Sequence, residues 1–474
     1  MSILLAPNPV PGALRAAIGQ AIQQNDDLIL LPGEHFTNPH SSEQIQVPAT
    51  GLHIHVQSPI TARSIIKRPN GGLDGDDQYG LFFIPAPPTQ PEIAAAQWKR
   101  VFDRGAAKPP EPNFEYEIVV RGDILIENVD IDCNIQNQPI QQQDPNNPWE
   151  HSAMLAFSGA LYGSSAALDF GQSPDGVPRR MYVAFRSVTV KSMNSENGGV
   201  ADDIWISRGS FHPNIQQLTL DQIRAVTRRN PKRATIGFTE LAAAVNITSC
   251  ELDSLHVEDD VRWDTLPRQT PEFQKAHMNL NSIVTKKLDL GAKGFVLDLS
   301  ATGITVTEEF TADQVSGTLQ NSIIHKAAEP IARLDMQFLK VQWKFPVLKD
   351  PLGKPFVRGL LAITRDAEPC RAVFRNNTFS VVDPMTADIL GQLIDGDPVV
   401  AINNVSGNQV LLSFEACAFD PRFASDGFRN THIAHPATRG VWTFQRADFR
   451  GVPLERALLI PDDQADRQIF VLVF

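Results

Sequence analysis

The chain has 474 residues, 42% of them hydrophobic and 20% charged. These are ordinary globular proportions, which exclude a disordered chain, a collagen and a coiled coil. The net charge of −12 repels phosphate backbones and argues against nucleic acid as a partner. Apolar runs such as Leu28 to Leu31 fall far short of the roughly 18 residues a membrane helix needs, so no membrane partner is expected.

Taken in chain order, Pro11 to Gln24 carries Leu14, Ile18 and Ile22 at the spacing of a short amphipathic helix. An acidic turn at Asp26-Asp27 follows, then a buried strand over Leu28 to Leu31 and a Pro-Gly turn over Pro32 to Phe36. Strands are predicted over Ile45 to Val47 and Leu52 to Val56. A six-residue pattern then recurs: apolar, any residue, often Asn or Ser, two variable positions, usually apolar. It begins at Ile126, Phe185, Ile247, Leu280, Leu319, Phe374, Phe414 and Phe444. Strands separated by polar turns and stacked coil on coil bury a long, narrow core.

Three excursions interrupt the pattern. Residues 84–113 are rich in Pro and Ala, with a helical piece near Pro91 to Asp103. Residues 136–149 are polar. Residues 212–233 hold a short basic helix over Leu218 to Arg228, with Arg224, Arg228 and Arg229. The four cysteines, Cys133, Cys250, Cys370 and Cys417, are widely spaced and read as buried small hydrophobes. The N-terminus has no basic segment, so the chain is either cytoplasmic or secreted with its leader removed.

The opening helix, strand and P-G-x-[YF]-like turn over residues 1–60 resemble the N-terminal cap of right-handed parallel β-helix proteins of the pectate-lyase-like superfamily. The resemblance implies an all-β fold: one domain over residues 1–474, a right-handed parallel β-helix with an N-terminal capping helix and loop or helix insertions. It also implies a carbohydrate-active protein whose excursions wall a substrate groove. A β-sandwich or jelly roll is the alternative fold.

Candidate chemistry comes from setting residues 202–207 against residues 259–264, which pairs Asp202 with Asp259, Asp203 with Asp260 and Trp205 with Arg262. Strand alternation then turns Asp203, Trp205, Asp260, Arg262 and, one coil further, Asp298 outward. Strands about 4.8 Å apart would bring the Asp203 and Asp260 carboxylates to roughly 5–7 Å, the range used by glycosidases. Two such charges split in pKa into an acid and a base. Trp205 would stack on a sugar, Arg262 would bind a hydroxyl or carboxylate, and Glu258, Glu196 and His256 stand nearby in sequence.

The resulting expectation is a glycoside hydrolase or glycosyl-transferring enzyme acting on a poly- or oligosaccharide. No resident metal is expected, and calcium is the alternative occupant of the acidic pairs. A uronic-acid lyase using Lys191, Lys286 or Lys287, and a non-catalytic glycan-binding or structural β-helix, are the other readings. Polygalacturonase-like members of the superfamily carry a Gly-His-Gly that this sequence lacks, so their catalytic residues are not carried over. Asp130, Asp132 and Asn134 read as a structural turn, and Trp149, Glu150 and His151 as the upstream end of a groove. The segment Asp420 to Arg429 reads as a loop. The apolar end, Ile469 to Phe474, reads as a strand closing the last coil or a contact in a homo-oligomer, trimer or dimer.

Overall fold

A computed structural model describes residues 2–8, 10–37, 44–48, 50–56, 63–70, 80–86, 97–102, 112–118, 123–132, 134, 154–158, 180–183, 187–191, 194–197, 204–207, 217–225, 236–239, 244–258, 275–291, 296–313, 315–325, 335–349, 351–353, 355–357, 362–363, 370–382, 400–402, 409–419, 431–433, 439–446 and 469–473. The chain forms two compact units, Met1–Met278 and Asn279–Phe474. Each is a parallel β-helix.

In the first unit the helix Ala13–Gln24 buries Leu14, Ala17, Ile18 and Ala21. It lacks a side-chain N-cap and ends on Asn25 in the left-handed region, whose N–H bonds the Ala21 and Ile22 carbonyls, a common way for a helix to stop. Three parallel ladders follow. The first runs Ile3–Leu5, Leu28–Leu30, Leu52–Val56, Asp123–Glu127, Ser187–Lys191, Gln217–Asp221, Ala244–Thr248. The second runs Gly33–Phe36, Ser64–Lys67, Asp130–Asp132, Asn194–Asn197, Arg224–Ala225 and the start of Glu251–Glu258. The third runs Gln44–Val47, Leu81–Pro85, Leu155–Ser158, Ile204–Ser207, Ile236–Thr239 and the end of Glu251–Glu258. Each coil thus contributes one strand per ladder, and in the sixth coil a single strand serves two ladders.

Alternation sets the core. Leu52, Ile54 and Val56 are buried, while His53 and His55 between them are half-buried and face outward. Leu28, Ile54 and Ile126 occupy one register column and are each 0% exposed. Residues 97–102 and 112–118 pair antiparallel, so the helix expected near Pro91 to Asp103 is instead a strand over Gln97–Phe102.

The second unit repeats the plan. One ladder runs Val296–Thr302, Val315–Gln320, Asp335–Leu339, Cys370–Arg375, Gln409–Glu415, Arg439–Gln445, Ile469–Val473, so the apolar C-terminal segment does pair onto the last coil. Another runs Val284–Gly291, Thr305–Asp313, Ile323–His325, Gln342–Lys349, Thr378–Val382, Ala418–Phe419. Its core is aromatic: Phe338 stacks on Phe374 at 5.0 Å and Phe374 on Phe414 at 4.9 Å, ring centroid to centroid. A column of flat rings at strand spacing is one use for the 26 phenylalanines.

The six-residue repeat is a corner. Its third residue takes a left-handed conformation: Asn128 and Ser249 in the first unit; Ser282, Asn321, Asn376, Ala416 and Arg446 in the second. The fourth points into the core, as Val129, Cys250, Ile283, Ser322, Asn377 and Cys417 do, each 3% exposed or less. Asn and Ser recur at the third place because short polar side chains tolerate this backbone better than bulky ones. Among the described residues, further corners outside the pattern read from sequence lie at Gln222, Gly303 and Lys340. The repeat read from Phe185 is out of step, because register sets Val190 opposite Ile126.

Residues 217–225 are strands of a full coil, not the basic helix of an excursion. Leu220 and Ile223 are both buried. Their helix-like spacing of three arises because the chain turns inward again after the left-handed Gln222. A cut within residues 217–225 would break two ladders. Residues 136–149 and 420–429 lie outside the described residues.

Candidate functional site

In the third ladder of the first unit, register places Trp205 opposite Gly237, and Gly237 opposite His256. Two residues along, Ser207 stands opposite Thr239 and Thr239 opposite Glu258. Val257 beside His256 is 0% exposed, so alternation puts His256 on the outward face of its strand. His256 is half-buried. The column Trp205–Gly237–His256 and the column Ser207–Thr239–Glu258 therefore run side by side across three coils about 4.8 Å apart.

This register replaces the one read from sequence. Ile204 lies opposite Ile236 and, through it, Leu255, so Trp205 meets His256 two coils on and not Arg262 on the next. The coil Gln217–Thr239 is the one the sequence comparison skipped. The stacking that set Asp203 beside Asp260, and Asp202 beside Asp259, loses its basis. Asp202, Asp203, Asp259, Asp260 and Arg262 themselves lie outside the described residues. Asp298 is half-buried in the second unit on Val296–Thr302, opposite Ser316, in a different ladder from Trp205. Glu196 sits in a bulge of the second ladder, between Ser195 opposite Ile131 and Asn197 opposite Asp132.

Other sequence readings fall out as structural. The main-chain N–H of Asn134 donates to Asp132 Oδ1 at 2.8 Å, and its side-chain amide donates to the Arg68 carbonyl at 3.0 Å. Asp130 pairs with Arg63 at 2.9 Å. Lys67 pairs with Glu34 at 2.7 Å and Asp132 at 3.7 Å, and its pKa is raised chiefly by the hydrogen bond to Glu34. Lys287 is held by Glu309 at 2.9 Å, a poor arrangement for a free catalytic base. Cys250 and Cys417 are buried free thiols whose pKa burial pushes up to about 11. They fill the fourth corner position, where each sulfur hydrogen-bonds neighbouring carbonyls.

A second cluster went unread in the sequence. His53 and His55 face out from Leu52–Val56 with rings stacked at 4.3 Å, and Asp27 lies beside them. His53 Nδ1 is 3.5 Å and His55 Nε2 3.9 Å from Asp27 Oδ2, and one ligand atom from each of the three residues lies within 4.8 Å of the others. The available signal was the His-x-His set into Leu-His-Ile-His-Val, where alternation alone puts both imidazoles on one face.

The repeated corners and continuous parallel ladders define a parallel β-helix protein. No protein-family model and no curated protein matches the chain. Among solved structures it aligns with the surface adhesin PfbA of Streptococcus pneumoniae, 10% identical, over 94% of this chain and 91% of that one, at a TM-score of 0.41. It also aligns with the Dettilon tailspike protein, 8% identical, over 99% and 68%, at 0.34. The A-module of the Azotobacter vinelandii mannuronan C-5 epimerase AlgE6 aligns at 11% identity over 98% and 94%, at 0.30. Similarities this low carry no argument about chemistry, and the fold class rests on the ladders.

Proposed function

We propose that the protein is carbohydrate-active: it binds a poly- or oligosaccharide along the third ladder of the first unit and cleaves or transfers its glycosidic bonds by acid/base chemistry. The observation that carries this reading is the register column Trp205–Gly237–His256 beside Ser207–Thr239–Glu258. A tryptophan position supplies a stacking surface for a pyranose. A glycine next to it leaves room for a ring to lie flat. An imidazole and, two residues along the same strand, a carboxylate are groups that can donate and accept a proton. In the chain, Asp202-Asp203 directly precede Ile204 and Asp259-Asp260 directly follow Glu258, and glycosidic cleavage needs two carboxyl groups.

The test is a glycan array followed by product analysis of the bound glycans. New reducing ends, lost in Glu258→Gln, support hydrolysis at this site. An unsaturated product would replace hydrolysis with β-elimination. Binding without any product would make the protein a glycan-binding module, and failure to bind any glycan would remove the carbohydrate reading altogether.

A further inference from the structure

We propose that Asp27, His53 and His55 form a binding site for a borderline transition-metal dication of the zinc class, with Glu127 orienting one of the ligands. The register builds the site. Leu28 lies opposite Ile54 and Ile29 opposite His55, so Asp27, one residue before Leu28, stands at the level of His53. His55 lies opposite Glu127 on the next strand. Three successive strands of the first ladder thus converge on one patch of its outer face.

The hydrogen bonds decide which nitrogens are free. His55 Nδ1 donates to the Val56 carbonyl at 3.1 Å, which leaves the Nε2 lone pair facing Asp27 Oδ2 at 3.9 Å. His53 Nε2 donates to Glu127 Oε2 at 3.2 Å, which leaves the Nδ1 lone pair facing the same oxygen at 3.5 Å. Two imidazole nitrogens and a carboxylate oxygen thus lie within 4.8 Å of one another on one outward face, three donor atoms that a single cation can gather. An imidazole whose far N–H is held by a carboxylate or a backbone carbonyl is the usual arrangement of a metal-bound histidine. Tetrahedral zinc with bonds of about 2.0–2.2 Å sets its ligand atoms roughly 3.3–3.5 Å apart. One pair is at that separation, a second is 3.9 Å apart, and the two nitrogens lie within 4.8 Å of each other, so the side chains must draw together to close the set. Two nitrogens and one oxygen favour zinc, cobalt or nickel over calcium, which takes oxygen. Three protein ligands leave a fourth position for water or a ligand. A bound ion would tie the turn after the capping helix to the next coil.

The experiment uses the full chain without an affinity tag, dialysed against chelator and titrated with zinc. The wild type should bind one more equivalent than Asp27→Asn, His53→Gln or His55→Gln. Glu127→Gln should keep the stoichiometry while weakening binding roughly 10–100-fold. With cobalt as probe, the wild type should show the intense visible absorption of a tetrahedral site, absent in Asp27→Asn. These side chains point away from the core, so circular dichroism should report folded variants. Should one imidazole variant fail to fold, Asp27→Asn and the cobalt spectrum still decide. Equal zinc stoichiometry and affinity in wild type and Asp27→Asn would overturn the proposal, as would a cobalt spectrum unchanged by that substitution.

Discussion

Asn377→Ala in the second unit should cost about 2–4 kcal/mol. Asn377 is the inward corner residue after left-handed Asn376 and is 0% exposed. Its amide nitrogen donates to the Phe338 carbonyl at 2.7 Å and the Arg375 carbonyl at 3.0 Å. Its oxygen accepts from Trp343 Nε1 at 3.1 Å, and Trp343 is itself 0% exposed. The Arg375 carbonyl keeps a backbone donor from Lys340 at 2.9 Å, so the loss falls on the indole N–H and the Phe338 carbonyl. A buried donor left without its acceptor costs about 1–3 kcal/mol, and the vacated volume adds about 1 kcal/mol. Trp343→Phe removes the donor and leaves the Asn377 oxygen stranded. Once either change is made, the other no longer breaks that bond. The double variant should therefore cost about 1–2 kcal/mol less than the two single costs added. Urea denaturation followed by far-ultraviolet circular dichroism reads all four states. A cost below about 0.5 kcal/mol for Asn377→Ala, or strict additivity, would mean that the corner asparagine does not hold the indole.

Trp205→Ala should raise KM more than it lowers kcat on the true glycan, because stacking contributes about equally to ground and transition states; a collapsed kcat with KM unchanged would contradict it. Burial lowers the pKa of His35, with the hydrogen bond from Nε2 to the Leu31 carbonyl opposing only in part. The unfolded chain therefore takes up that proton first, so stability is fully present above about pH 6.5 and is lost as pH falls through the lowered folded value. His35→Gln should lose less stability than wild type between pH 7 and 5 in parallel melts, and an equal loss would remove His35 from the account. Gly317→Ala should destabilise far more than Gly303→Ala. A Cβ at residue 317 would run into the Leu299 carbonyl oxygen, whereas at 303 it meets Ser282 no nearer than 3.7 Å. Thermal melts with the opposite order would refute the register around Gly317.

Much of the fold was legible because its rules are local. The amphipathic Leu14 and Ile18 spacing gave the cap, and the Asn or Ser third position gave the corners at Asn128, Ser249, Ser282, Asn321 and Asn376. Gln222 and Lys340 hid two corners because their side chains carry no preference for the left-handed region and only stacking enforces it. The missed Gln222 corner then displaced the site. With its coil read as an excursion, the two Asp-Asp pairs aligned by similarity, and Trp205 was set against Arg262 instead of Gly237. Sequence similarity between short segments cannot count coils; pairing does. For His53 and His55 the His-x-His was legible, but its third ligand was not: Asp27 lies a coil away in sequence and only the pairing of Leu28–Leu30 with Leu52–Val56 brings it beside them.

The register of the third ladder carries the proposed site, and a paired-cysteine cross-link reads it directly. Ser207 and Thr239 are partners on adjacent strands, about 4.8 Å apart, within the span a disulfide bridges. Ser207→Cys combined with Thr239→Cys should form an intramolecular disulfide under mild oxidation, found as a linked peptide by mass spectrometry. Ser207→Cys combined with Asp264→Cys, the pair demanded if Ile204 lay against Val261, should stay reduced. A disulfide in the second pair and none in the first would contradict the register and the site built on it.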